Sequence, residues 1–384
     1  MRIVFVSNYY THHQAPFSEA MWLQLKGEYY FIATELFEKE RIQMGWKADG
    51  FPQFVHQYAD EKELCDRLIS DADVVIIGSA PVRLIKNRLK NNKLVIIYNE
   101  RLDKKRPGVF RFLRNMIGLN LHYGGYKSIY CLCSSAFTSY DFSKRNLFKN
   151  KCYKWGYFPA FKRYGCIEDI IARKRSRLVS ILYVSRLIDW KHPELPIQVA
   201  KKLKEEGIAF NMTMIGIGDM EQYVESLIEK FGLKNEVTHL RAMSPENVRE
   251  YMEKASIFLF TSDRNEGWGA VLNESMNSGC AVVASSEIGS VPYLIKNAVN
   301  GYIYDDGDFD DLYTKVKEFC LNQKKREQFG LEAYYTIDNM WNAENAAIRL
   351  LDLIKDLQNV GESDRFMDGP CSRADILKDG WFKP

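Results

Sequence analysis

Residues 263–279 read Asp263-Arg-Asn-Glu266-Gly267-Trp268-Gly269-Ala270-Val-Leu-Asn-Glu274-Ser275-Met276-Asn-Ser-Gly279. The apolar run Ile-Phe-Leu-Phe-Thr at 257–261 precedes the stretch, and Cys-Ala-Val-Val-Ala at 280–284 follows it. The order is therefore strand, loop, helix, strand. A helix opening near Gly269 presents about four unpaired backbone N–H groups and the positive end of its dipole, which together bind a phosphate without any basic side chain. Gly267 and Gly269 let the backbone approach a ligand closely. Glu274 lies a turn inside the helix, on the face of Ala270, where its carboxylate can accept hydrogen bonds from ribose hydroxyls. Glu266, on the loop, is placed to hold hydroxyls of a sugar. The same acids also suit a helix dipole with no ligand, and Trp268 suits simple packing.

A chain of 384 residues exceeds the size at which one core keeps growing, so two domains are expected, and 46% apolar content is enough to fill both. Residues 1–7 are too short an apolar run for a signal peptide and read as an opening strand. No segment reaches bilayer-spanning length, which predicts a cytoplasmic protein that at most lies on a membrane surface. Of eight cysteines, Cys131 and Cys133 are close in sequence, at a spacing that suits neither a zinc site nor a redox pair. They read as reduced thiols. Net charge is only +3, but residues 1–177 hold 30 Lys plus Arg against 17 Asp plus Glu, and the remainder 23 against 33. One half is thus expected to face something anionic. The densest region, 81–114, has 11 basic residues opposed by Glu100 and Asp103. Within it, residues 104–114 interleave cations with Phe110, Phe112 and Leu113, a pattern that fits a segment lying on an anionic lipid surface or a solvated charged face. No nucleic-acid motif is present, so no nucleic-acid partner is expected.

Apolar strands alternate with amphipathic stretches throughout, which predicts α/β architecture: two Rossmann-like, doubly wound parallel-sheet domains with an interdomain cleft. First-half strands are expected at 3–7, 30–34, 74–77, 94–98, 128–132 and 153–159. A second series is expected at 181–184, 210–215, 237–240, 257–261, 281–284 and 301–304. The domains divide as 1–165, a basic linker at 166–177, 178–338, and a terminal part at 339–384. Residues 340–357 read as one long helix, and the polar tail 361–384 as loosely ordered apart from Trp381 and Phe382. Ligands in such sheets bind outside the carboxyl ends of the strands. Arg186 and Lys191 lie just past one such end, where a guanidinium fork and a point charge can bracket a diphosphate. Gly216 and Gly218 form a glycine turn after the next strand. Ser244 reads as an N-cap with Pro245 at the first helical position. His12 and His13 sit in the loop after the first strand, without a third ligand that would make a metal site.

Glu266 and Glu274, separated by seven residues and continued by Ser275, Met276 and Gly279, resemble the signature of retaining glycosyltransferases of family 4, the group 1 glycosyl transferases of GT-B fold. The spacing of Arg186 and Lys191 is similar to that family's diphosphate-binding pair. The resemblance implies a nucleotide-diphosphate sugar as donor, no catalytic metal or other cofactor, and a glycan or lipid-linked acceptor, in cell-surface polysaccharide or glycolipid synthesis. It implies catalytic roles for Arg186, Lys191 and Glu266. Donor contacts are implied at Gly216, Gly218, Gly267, Trp268, Gly269, Ala270 and Glu274, with base contacts from Ala242 and Met243. The first domain becomes the acceptor side, and the terminal helix crosses back to it from about residue 339. The chain departs from the family in three places. Many members have a glycine pair where this loop reads Asn8 to Pro16, and a histidine where this chain has Asn99, Glu100 and Arg101. A glutamate commonly follows the proline of Gly289-Ser-Val-Pro-Tyr293. His12, His13, Asn99 and Glu100 are the resulting acceptor-side candidates. A sugar-nucleotide epimerase of the same fold and a catalytically silent carbohydrate-binding module remain alternatives. A nicotinamide enzyme is disfavoured because the first loop lacks Gly-x-Gly-x-x-Gly.

Overall fold

The computed structural model describes residues 1–36 and 50–383. It divides into two compact units, Met1–Ala160 with Trp341–Lys378 and Phe161–Met340 with Asp379–Pro384. The first unit is built on seven parallel strands: β1 Ile3–Ser7, β2 Tyr29–Ala33, β3 Val55–Gln57, β4 Val74–Ile77, β5 Val95–Asn99, β6 Ile129–Cys133 and β7 Cys152–Lys154. Their order is β3-β2-β1-β4-β5-β6-β7. β1 pairs on one side with β2 (Ile3↔Tyr29) and on the other with β4 (Ile3↔Val74). These strands are nearly continuous Val, Ile, Leu and Phe because helices cover both faces. Val4, Val6, Val75, Ile77, Val95 and Ile97 share one buried cluster. Phe5 and Phe31, on the other face, stack 5.2 Å apart.

The second unit has six parallel strands: β8 Val179–Val184, β9 Phe210–Ile215, β10 Val237–Leu240, β11 Ile257–Phe260, β12 Ala281–Ser285 and β13 Tyr302–Tyr304. Their order is β10-β9-β8-β11-β12-β13. That is the doubly wound order, in which the winding reverses between β8 and β11 and leaves a crevice at their carboxyl ends. Ile181, Tyr183, Met212, Met214, Leu259 and Val283 form the buried layer with Leu203, Val224 and Phe319 from the helices.

Several expectations need correction. β3 was not anticipated; it is a three-residue edge strand with too few side chains to show a period. The strand expected at 153–159 stops at Lys154, and its outer edge is paired by the tail. Lys154 N donates to Ser372 O (2.7 Å), Cys371 N to Lys154 O (2.8 Å), and Tyr130 Oη to Gly361 O (2.7 Å). The tail is thus ordered and covers a sheet edge that would otherwise present unpaired backbone groups. The linker at 166–177 contains the helix Ile167–Arg173, whose Ile167 and Ile171 pack on Tyr334. Lys174 just after it is buried, with Nζ donating to Ser278 O (2.6 Å) and Met252 O (3.2 Å). The long terminal helix is preceded by another: Gln323–Asn339 ends and Ala343–Asn359 begins after Asn342, whose side chain accepts from Asn345 N at 2.9 Å. Ala343–Asn359 packs against the helix Ala15–Gln24 within the first unit.

The basic region 81–114 is not uniformly a surface. Arg88 is 2% exposed and its guanidinium donates to the carbonyls of Ile69, Ala72 and Leu94. Arg101 is likewise buried, 4.2 Å from the centre of the Phe137 ring.

Gly330 fixes one contact of the second unit, because a Cβ there would lie 2.4 Å from Gly279 O. Gly→Ala inside a helix ordinarily stabilises by about 1 kcal/mol. Here overpacking outweighs that gain, and Gly330→Ala is expected to destabilise by roughly 1–3 kcal/mol in a denaturant titration. An unchanged or raised midpoint would contradict the contact.

Candidate active site

β8 and β11 are neighbours at the winding reversal, and the loops leaving them carry Arg186, Lys191 and Glu266. Lys191 sits at the end of a 3-10 turn, Asp189–Lys191. Its carbonyl is fixed from two sides, accepting from Tyr183 Oη at 3.1 Å and from Thr261 Oγ1 at 2.9 Å. Asp263 N donates to Trp190 O at 3.0 Å, binding the β11 loop to the same turn. Lys191 Nζ donates to Glu266 Oε2, which also accepts from Ser262 Oγ at 3.1 Å. The pair is largely enclosed, with side-chain exposures of 11% and 10%. Lys191 Nζ lies 4.4 Å from the Trp190 ring centre and the Arg186 guanidinium 5.8 Å from it, so one indole carries both cations. Arg186 itself is exposed. His192, in left-handed conformation after the turn, contacts Glu194 at 3.0 Å, which raises its pKa above the ordinary value.

Gly216 and Gly218 lie against this segment. A Cβ would fall 1.8 Å from Ser185 O at Gly216 and 2.3 Å from Leu187 O at Gly218, while Leu187 N donates to Ile217 O at 2.9 Å. The glycines are therefore required by the backbone that carries Arg186, whatever else they contact.

The Glu266–Glu274 stretch folds as loop then helix, but the helix is Val271–Asn277 with Ala270 as N-cap, two residues later than expected. Gly269 is what turns the chain: it has φ +84°, and a Cβ would meet the Phe260 ring at 2.3 Å. Gly267 and Ala270 are buried beside it. The Trp268 side chain is packed inside the unit. It is 1% exposed, its Nε1 donates to Asn273 Oδ1 at 2.9 Å, and its ring packs 6.3 Å from Tyr293. Glu274 N donates to Ala270 O at 3.2 Å, as the four-residue spacing predicts. Burial pushes the Glu274 carboxyl up to about 7, with Arg249 pulling the other way. Ala242 and Met243 occupy the loop after β10, at the same carboxyl edge of the sheet, and Ser244 caps the following helix by accepting from Asn247 N at 3.4 Å.

In the first unit, the four candidates gather around two tyrosines that sequence reading missed. His12 and His13 rings lie 3.9 Å apart, and His13 stacks on Tyr157 at 6.1 Å. Tyr157 Oη donates to Glu100, whose other oxygen accepts from Lys104 Nζ at 2.6 Å. Tyr98 lies 6.0 Å from Tyr157. Burial and the Glu100 charge hold both tyrosine hydroxyls well above their ordinary pKa. Burial, with His12 alongside, lowers His13 to about 3, so its imidazole is neutral at any working pH. Asn99 is a backbone anchor, its carbonyl accepting from Ser134 N at 2.9 Å. Trp190, between two cations, and Tyr157, in the aromatic run before Pro159, were the local signals available.

Two groupings among the described residues have metal-ligand proximity: Cys131, Cys133 and Cys152, and Glu221, Glu225 and His239. The β6–β7 register sets Cys152 opposite Cys131, a proximity that the sequence spacing did not reveal.

Residues 170–335 match the family Glycosyl transferases group 1. The chain is 29% identical over 182 residues to the amylovoran biosynthesis glycosyltransferase AmsK of Erwinia amylovora, covering 46% of this chain and 44% of that one. It is 29% identical over 147 residues to the putative colanic acid biosynthesis glycosyltransferase WcaL of Escherichia coli, covering 37% of this chain and 36% of that one. The alignments thus span less than half the length of these curated relatives. Among solved structures, HepE of Anabaena in complex with UDP is similar at TM-score 0.68 and 13% identity, covering 93% of this chain and 100% of that one. WaaG, a glycosyltransferase involved in lipopolysaccharide biosynthesis, is similar at TM-score 0.61 and 15% identity, covering 90% of this chain and 98% of that one.

The Glu274 shift has a thermodynamic consequence. A carboxyl at about 7 when folded and 4.5 ordinarily contributes stability that is complete below about 4.5 and lost as pH rises through 7. Glu274→Gln should therefore gain on the native chain between pH 4.5 and 8, by up to about 3 kcal/mol. Parallel denaturant midpoints at both ends of that window would disprove the shift. Residues 170–335 thus match the group 1 glycosyl transferases, and the two parallel-sheet units have the GT-B fold of HepE and WaaG.

Proposed function

We propose that this protein is a retaining glycosyltransferase that moves a sugar from a nucleotide-diphosphate sugar to an acceptor hydroxyl without a metal ion, in the assembly of a cell-surface polysaccharide or glycolipid. The observation that carries the reading is the Lys191–Glu266 pair with Arg186 on the shared Trp190 ring, at the β8–β11 reversal. The names of AmsK and WcaL support the pathway class, and the UDP held by HepE makes uridine diphosphate sugars the first donors to try. In the proposed step the acceptor oxygen bonds to the anomeric carbon on the face from which the diphosphate departs. The diphosphate leaves with the bonding electrons, and one of its oxygens takes the acceptor proton. Arg186 and Lys191 offset the charge growing on the leaving phosphate. Glu266 holds the sugar and Glu274 the ribose. The acceptor is assigned to the first unit, where Glu100, Tyr157 and His13 offer carboxylate, hydroxyl and neutral imidazole side by side.

Arg186 is exposed, so its loss should leave the fold intact. Arg186→Ala is expected to lower kcat by roughly 10² or more with Tm unchanged. Near-normal turnover at saturating donor would sink the assignment.

The same reading places the enzyme on the cytoplasmic membrane face through the helix Val109–Tyr123, which has no buried residue. Val109, Phe110, Leu113, Ile117 and Leu121 are 73, 91, 43, 58 and 77% exposed. At 100° per residue they fall within one arc of about 120°, with Arg114 at one edge. No acidic residue occurs between 104 and 128, against Lys104, Lys105, Arg106, Arg111, Arg114 and Lys127. An apolar stripe rimmed by cations suits an anionic lipid interface. No helix among the described residues is long and apolar enough to cross a membrane. Phe110→Ser with Leu121→Ser should weaken flotation with phosphatidylglycerol vesicles by roughly 10²-fold, since each side chain contributes about 1.5–3 kcal/mol. Flotation equal to the native chain, or a lipid-free dimer abolished by the same pair, would refute membrane docking.

A further inference from the structure

The second unit's last residues return to the sheet edge that carries the candidate donor site. Asp379 Oδ2 accepts from Arg264 Nη2 at 3.2 Å, in the loop after β11. Trp381 Nε1 donates to Ser286 O at 2.9 Å, in the loop after β12. Lys383 Nζ stands 3.4 Å from Asp305 Oδ2, just after β13. Phe382 lies beneath Lys315, whose Nζ is 5.6 Å from the ring centre. β11, β12 and β13 are consecutive neighbours in a parallel sheet, so these anchors lie across three adjacent carboxyl ends.

The loops so joined are also tied to each other. Gly289 N donates to Glu266 O at 3.2 Å, linking the β12 loop to the acid of the β11 loop. Asp306 N donates to Ser286 Oγ at 3.2 Å, and Ser285 Oγ to Asp306 Oδ1 at 2.9 Å. Inside the β11 loop, Glu266 N donates to Asp263 O at 3.0 Å and Asn265 N to Asp263 Oδ1 at 2.8 Å, so Arg264 is held in the same small turn as Glu266. The Lys383 pair is solvent-exposed and contributes little. The anchors with enclosed partners are Arg264, with 15% side-chain exposure, and Ser286, with 3%.

We propose that residues 379–383 form a strap that positions the sugar-side loop of the donor site, with Asp379 and Trp381 as positioning residues for Glu266. The proposal rests on the donor reading above and adds a residue set outside the Glu266–Glu274 stretch. The strap joins the loops after β11, β12 and β13, on the opposite side of β8 from the β9 and β10 loops that hold Gly216, Ala242 and Met243. It therefore governs how firmly the sugar is held, and lies away from the residues assigned to the glycine turn and the base, Gly216, Gly218, Ala242 and Met243.

The test uses the full chain with Asp379→Ala and Trp381→Ala, probed with UDP and UDP-glucose by calorimetry and with amide hydrogen exchange in the absence of nucleotide. Exchange at 263–269 and 286–290 is expected to quicken roughly tenfold, with 216–219 unchanged. UDP-glucose should bind roughly fivefold to tenfold more weakly while UDP stays within about twofold, because a loosened loop costs only the contacts it positions. Exchange unaltered at both loops, or raised throughout the second unit, would overturn the strap. So would equal weakening of UDP and UDP-glucose. Because exchange is read without ligand, a native chain that binds neither compound would sink the donor reading by itself, and the exchange result would still decide the strap.

Discussion

The contact between Lys191 and Glu266 is the constraint around which the second unit is arranged. Two opposite charges in nearly enclosed surroundings are tolerated only when each is matched, and removing one partner of such a pair typically costs 3–5 kcal/mol. Matching them requires the loops after β8 and β11 to meet, which the strand order achieves by making those strands neighbours. The Tyr183, Thr261 and Asp263 hydrogen bonds then fix the turn, so that the ammonium is aimed by backbone. On the donor reading proposed above, an entering diphosphate would exchange one set of charge partners for another. It does not have to open an apolar wall, and this keeps the reorganisation small.

Much of this was legible in the residues themselves. Unbroken apolar runs such as Val74–Ile77 and Ile257–Phe260 announced strands covered on both faces, and eleven of thirteen were placed to within two residues at each end. β3 is too short to show a period, and β7 ends at Lys154 with its outer edge paired to a segment more than 200 positions away. The segment read as a basic linker carries the helix Ile167–Arg173 and belongs to the second unit. Lys174, with its amine on two carbonyls, cannot be told from its exposed neighbours by type alone. At Trp268 the motif names the position, while burial decides which way the ring turns.

In the first unit, sequence reading named the acceptor-side candidates and missed what brings them together. His13 and Glu100 looked like separate loop residues on strands that are not neighbours. Tyr157 joins them, stacking on one and donating to the other. The departure from the family at Asn99, Glu100 and Arg101 is therefore more than a lost histidine. A carboxylate held by Tyr157 and Lys104 occupies that region, and it presents acceptor oxygens where an imidazole would present a nitrogen.

The way the first unit borrows Trp341–Lys378 bears on how the chain is made. The helix Ala15–Gln24 packs against Ala343–Asn359, and the β7 edge waits for the segment around Cys371. At a ribosomal rate of about 5–20 residues per second, roughly 10–40 seconds separate the emergence of residue 160 from that of residue 359. During that interval the amino-terminal sheet lacks its closing pieces. Residue 340 emerges only about 1–4 seconds before residue 359, so the two units are completed almost together although synthesis of the first began far earlier.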